Sequence, residues 1–239
     1  MAIYDIYPGI LNRTNYTPGG WATPDSSWLH INGDIYALVS GLNGPNHGYL
    51  YTIRINSSGA SEGSFAIINS YDLGILANDL EIVHVSGNVY AVFWTVVTSG
   101  SYISTFSIDP ATGAITYIDG PHAHVATGGT ISALKVAPGV YAFSSTIGFG
   151  GSVIYTWAIA DDGTIGAQID SWNPGGTANW EYLFEVASGV YGFWTQITGG
   201  GSILYTLPID GAGTLPTSPV LVNAGAFLIG TEYVIHFVG

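Results

Sequence analysis

The sequence predicts an all-β fold, a β-propeller of four-stranded blades about 50 residues long. Three observations predict it: a fourfold internal repeat, extended runs without helical periodicity, and a partial fifth copy at the C-terminus. The repeat is anchored by Tyr36, Tyr90, Tyr141 and Tyr191, which are 54, 51 and 50 residues apart. Around them "LHINGDIYALVSG" recurs as "VHVSGNVYAVFWT", "LKVAPGVYAFSST" and "FEVASGVYGFWTQ".

Each unit reads as four strands in order. The first ends on a tight turn ("NGD", "SGN", "APG", "ASG"), where Gly and Asn tolerate positive φ. The second carries the tyrosine and is rich in Val, Ala, Phe and Trp, which suit strands. The third holds "YLYTIRI", "YISTFSI", "VIYTWAI" or "ILYTLPI", with Thr52, Thr105, Thr156 and Thr206 at matching places. A turn with Gly59, Gly113, Gly163 or Gly213 leads to the fourth extended segment. The units span about 27–78, 79–128, 129–178 and 179–229. The final "TEYVIHFVG" matches only a first strand, so residues 230–239 and 1–26 are expected to share a fifth, closing blade. Four blades with an extra hairpin is the alternative.

"IVHVSGNVYA" resembles the repeat of β-propeller arrays in surface-associated proteins of archaea and bacteria. The overall design is similar to five-bladed lectin propellers of the tachylectin type. That resemblance implies architecture over residues 27–239 and carries no binding site with it.

Composition limits the function classes. Three Lys and Arg face 16 Asp and Glu in 239 residues, a net charge of −13. Such a chain repels nucleic acid and lacks a basic patch for anionic membranes. With no cysteine it forms neither disulfides nor thiolate metal centres. No run of 18 apolar residues spans a bilayer, and the first residues show no leader pattern. A polar but weakly charged surface suits an extracellular, cell-surface or virion setting. Sequons begin at Asn12, Asn15 and Asn56.

Three groups of residues are candidates for a site. Six residues before each repeat tyrosine stand His30, His84, Lys135 and Glu185, with His236 in the partial copy. At one height on five inner strands they are expected to form a polar ring round the axis, lining a wet channel with an internal Lys135–Glu185 pair rather than holding a metal. Tryptophans form the second group. Trp21 and Trp172 in Gly/Pro-rich stretches, together with Trp180, Trp94 and Trp194, are candidates to stack on sugars or to fill wedges between blades. The third group is the carboxylates Asp79, Glu81, Glu181, Glu185 and Glu232 near the inner strands, a setting compatible with glycoside hydrolysis. "GASEG" at 59–63 lies in a hairpin turn and not in a nucleophile elbow.

The expectation from sequence is therefore a non-catalytic binding module for neutral carbohydrate or another surface ligand, without cofactor or metal. Its partner would be a glycan or a cell-surface or virion protein, with no nucleic acid, no membrane insertion and oligomerisation open. A structural protein is the first alternative and a glycoside hydrolase-like enzyme the second.

Overall fold

A computed structural model describes residues 21–22, 27–43, 48–55, 65–74, 77, 79–96, 100–125, 129–146, 151–175, 178–197, 202–217 and 220–222. Among them every regular element is a strand. The 18 strands are β1 (Trp21–Ala22), β2 (Ser27–Asn32), β3 (Ile35–Ser40), β4 (Leu42–Asn43), β5 (Tyr49–Ile55), β6 (Phe65–Asp72), β7 (Asp79–Ser86), β8 (Val89–Val96), β9 (Gly100–Ile108), β10 (Ile115–Val125), β11 (Ile131–Ala137), β12 (Val140–Thr146), β13 (Ser152–Ile159), β14 (Ile165–Trp172), β15 (Ala178–Ala187), β16 (Val190–Ile197), β17 (Ser202–Pro208) and β18 (Val220–Val222).

They form four antiparallel four-stranded sheets, each following the chain: β2-β3-β5-β6, β7-β8-β9-β10, β11-β12-β13-β14 and β15-β16-β17-β18. β1 and β4 make a separate two-residue pair. The closing unit expected at 230–239 and 1–26 lies outside the described residues, apart from Trp21 and Ala22.

The first strands stand next to one another in chain order, tied by hydrogen bonds. Ile82 N–H donates to Ser27 Oγ (3.5 Å), Ile131 N–H to Asp79 Oδ2 (2.7 Å) and Leu183 N–H to Ser132 Oγ (3.2 Å). The sheets stack face to face round this inner edge in a β-propeller-like arrangement. The core consequently lies between sheets. One cluster joins Val39 and Leu50 to Leu80 and Trp94, a second joins Phe93 and Ile103 to Ile131 and Phe143, and a third joins Ala142 and Ile154 to Leu183 and Phe193. A second strand contacts neighbours on both faces, so β8 (VYAVFWTV) is buried throughout and reads as an unbroken apolar run, not an alternating one.

Two polar staples repeat at the junctions. Thr52, Thr105 and Thr156 donate their hydroxyls to the carbonyls of Gly113, Gly163 and Gly213 in the next sheet's last turn, at 2.5–2.6 Å. Asp119 and Asp170 each cap their own strand with Oδ1 and accept Ile165 or Leu215 N–H of the next sheet with Oδ2, both at 2.9 Å. Asn69, at the same place in the first sheet, keeps only the local cap.

Replacing Thr105 by valine keeps the shape and removes the donor, leaving a buried carbonyl without this partner. The expected cost is about 1–3 kcal/mol, a fall in Tm of about 2–4 °C for each kcal/mol. Calorimetry of Thr105→Val checks it; an unchanged Tm would remove the staple from the account of stability.

Candidate axial site

The inner strands enclose a cavity of about 460 Å³. All four sheets contribute to its wall, through Trp28, Asp79, Glu81, Lys135, Tyr182 and Glu185 among others.

Glu81 is the chemically distinctive group. It occupies the column nine residues before the repeat tyrosine, with Ser27, Ser132 and Tyr182 at the equivalent places. Ser27 Oγ donates to its Oε1 at 3.3 Å from the preceding sheet. The Ala133 N–H of the following sheet also reaches it. One side stays open to the cavity, yet protein surrounds the carboxyl. Burial pushes its pKa up to about 7, against partial offsets from Ser27 and Ala133. At mildly acidic pH Glu81 is therefore a carboxylic acid that carries its proton.

Asp79 precedes it by two residues, on the same strand face. Its Oδ2 accepts the Ile131 N–H, which holds that carboxylate against β11. Tyr182 completes the column and is 37 % exposed, stacked on Phe184 with centroids 6.0 Å apart. Burial raises its phenol, and the charge of Glu81 adds to the shift. Sequence reading did not single out Ser27, Ser132 or Tyr182. Their spacing of 54, 51 and 50 residues through Glu81 was the available signal.

The ring expected at His30, His84, Lys135 and Glu185 keeps one height, each residue pairing with its repeat tyrosine. Local contacts fix the polar ends of three of them. Nε2–H of His30 and of His84 donates to the carbonyl of its own hairpin, Gly33 at 3.0 Å and Gly87 at 2.9 Å. Lys135 Nζ donates to Val85 O and lies over the Tyr141 ring. Among the described residues no ion pair joins Lys135 to Glu185. His84, Lys135 and Glu185 share the cavity wall. His236 lies outside the described residues.

The tryptophans are dispersed. Trp94 is buried and stacks on Tyr102 at 5.7 Å. Trp172 ends β14 and meets Phe193 and Tyr205 of the fourth sheet edge-on, at 6.4 and 5.3 Å, so it packs a sheet junction. Trp194 is half-buried on β16. The backbones of Trp21 and Trp180 pair in β1 and β15; their side chains lie outside the described residues. Among the described residues no three His or acidic groups cluster as for a metal ion, and no helix is long and apolar enough to cross a membrane.

No protein-family model matches the chain, and no curated protein matches it in sequence. Solved structures do resemble it. A protein from Lactobacillus plantarum has a TM-score of 0.54 at 12 % identity, over 85 % of this chain and 54 % of that one. The intramolecular trans-sialidase from Ruminococcus gnavus has a TM-score of 0.51 at 13 % identity, over 79 % and 44 %. An α-L-arabinofuranosidase from Clostridium thermocellum has a TM-score of 0.43 at 12 % identity, over 83 % and 72 %. This chain spans about half the length of the first two. At such identities the likeness is one of fold.

These neighbours correct the functional expectation. The sequence reading placed a non-catalytic binding module first. One neighbour with a TM-score above 0.5 carries the name of an intramolecular trans-sialidase, and the cavity places Glu81, whose pKa burial raises to about 7, two residues from Asp79. The module reading undervalued the carboxylates because enclosure by three strands from different repeats is invisible in any one repeat.

Proposed function

We propose that the chain is a glycoside hydrolase-like enzyme acting in the axial cavity. The observation that carries this reading is Glu81, an enclosed acid with a pKa of about 7 that faces a cavity of about 460 Å³. Glu81 delivers its proton to the glycosidic oxygen as the bond to the anomeric carbon breaks. Asp79, kept by the Ile131 N–H, faces the developing positive charge and takes a proton from the attacking water. Water adds to the sugar and the alcohol leaves, so the two carboxyls exchange protonation states and are reset through solvent. Tyr182 offers an aromatic face to the sugar ring.

Two features support a further blade beyond the four sheets. Leu38, Tyr51 and Ile53 form a buried cluster on the face of the first sheet opposite to the second. Thr206 occupies the staple position in the fourth sheet, and no described turn receives it. A five-bladed ring closed by the two chain ends accommodates both, with repeat units as the spacing divides them. A weakly charged, glycan-acting protein fits an extracellular or surface setting.

The test is turnover of aryl glycosides and natural oligosaccharides by wild type, Glu81→Gln and Asp79→Asn. Losing the general acid is expected to lower kcat by about 10²–10⁴-fold, with wild-type activity falling as pH rises through about 7. A folded Glu81→Gln protein as active as wild type, or a wild type inert on the whole panel, would refute the assignment.

A further inference from the structure

The repeat supplies its own control at the third sheet junction. Ten residues before the repeat tyrosine stand Leu80, Ile131 and Glu181; three residues after it stand Val39, Phe93 and Ser144. Across the first junction Val39 and Leu80 are buried in one apolar cluster, and across the second Phe93 and Ile131 are buried in another. Across the third, both apolar partners are replaced together, by Ser144 and Glu181.

Glu181 is only 6 % exposed, and neither of its oxygens forms a well-aligned hydrogen bond. Ser144 Oγ and Thr130 Oγ1 are likewise buried without a partner. Ser132 pairs with Ser144, so Thr130, Ser132 and Ser144 lie on one face of the third sheet. That face meets the fourth sheet, where Ser132 Oγ contacts Leu183. The hydroxyls of Ser144 and Ser152 adjoin the Glu181 carboxyl, and Ser152 Oγ is 3.4 Å from Thr195 Oγ1. Asp79 adds a second negative charge nearby.

A buried carboxyl either keeps its proton or, once ionised, needs a counter-charge. The chain has three Lys and Arg in all: Arg54 pairs with Asp34, Lys135 is held at Val85 O, and Arg13 lies outside the described residues. The donors at the junction are all oxygen, which suits a hard cation and not a thiophilic or imidazole-seeking one.

We propose that the junction between the third and fourth sheets binds one calcium-like divalent cation through the Glu181 carboxylate and the Ser144 and Ser152 hydroxyls, with water completing the shell. Thr130, on the same face, supplies a further oxygen. Few charged ligands give a weak site, with Kd in the range of about 10⁻⁴–10⁻³ M. The cation binds the ionised carboxylate and so displaces any proton it carries.

The experiment uses chelator-treated full chain at mildly alkaline pH, with calcium chloride as the probe. Equilibrium dialysis should find one calcium per chain. Tm should rise by about 5–10 °C when calcium exceeds its Kd about a hundredfold. Both effects should vanish in Glu181→Gln and weaken several-fold in Ser144→Ala, which also serves if the first variant does not fold. No bound calcium in wild type, or equal binding in the variants, overturns the proposal.

Discussion

Replacing Gly163 by valine lowers Tm by about 10 °C, while Gly211→Ala in the neighbouring unit's turn leaves it nearly unchanged. Gly163 sits at φ +91°, and a Cβ there would lie 2.9 Å from Ile118 Cδ1 and 3.1 Å from Val89 Cγ1 of the preceding sheet. Its carbonyl also receives the Thr105 hydroxyl at 2.6 Å. A β-branched residue thus meets two separate penalties. The left-handed backbone costs about 1–2 kcal/mol, and crowding a packed junction costs about 1–3 kcal/mol. Together they make about 3 kcal/mol, which at about 2–4 °C per kcal/mol gives the stated fall. Gly211 has open space about its Cβ direction and no positive φ. Gly113 and Gly213 face Ile68 and Ile169 in the same way, so the effect belongs to the junction and not to one loop. Thermal unfolding of the two variants decides the matter. If Gly163→Val melts within a degree of wild type, the turns do not clamp the sheets.

What the sequence disclosed follows from repetition. A tyrosine every 50 to 54 residues fixes which strands are equivalent, and the inner-strand pairing of His30, His84, Lys135 and Glu185 with those tyrosines obeys that spacing. Spacing sets the height of a side chain but not its direction. His30 and His84 turn back to carbonyls of their own hairpins because those acceptors are three residues away. Trp172 illustrates a second limit. Next to Asn173, Pro174 and Gly175 it looks like part of a loop, but β14 continues through it and the fourth sheet covers its ring. Glu81 stood among the sequence's carboxylates, yet its raised pKa comes from burial among strands of three sheets, only partly offset by Ser27 and Ala133, surroundings made only when the strands are brought side by side. The most informative departures are those from the chain's own pattern. Glu181 stands where two other units have Leu80 and Ile131, and that contrast was available in the sequence once the columns were compared.

Acidification will destabilise wild type relative to His124→Phe by roughly 2 kcal/mol between pH 6.5 and 4.5. His124, on β10, is enclosed by the third sheet, its ring centroid 4.3 Å from Phe143, 5.5 Å from Trp157 and 5.8 Å from Tyr155. Neither ring nitrogen makes a well-formed hydrogen bond. Burial drives its pKa down to about 3, only partly offset by the His122 backbone. The unfolded chain therefore takes up this proton from about pH 6.5, whereas the folded chain refuses it until about 3. Stability is full above 6.5 and declines as pH falls, at about 1.4 kcal/mol per pH unit. The acids work in other directions. Glu81 and Glu181, with pKa values raised to about 7 and about 8, stabilise the fold increasingly as pH drops from 8 towards 4.5. Asp109, Asp119, Asp162 and Asp210, whose backbone N–H partners lower their pKa values, lose stability only below their ordinary value of 3.8. Absolute stability thus mixes opposing slopes, but the difference between wild type and His124→Phe cancels every shared group. It also cancels any fixed change in packing, since only its variation with pH is read. Urea unfolding of both proteins across this window measures it. A difference that stays constant with pH would mean that the aromatic enclosure does not exclude the imidazolium.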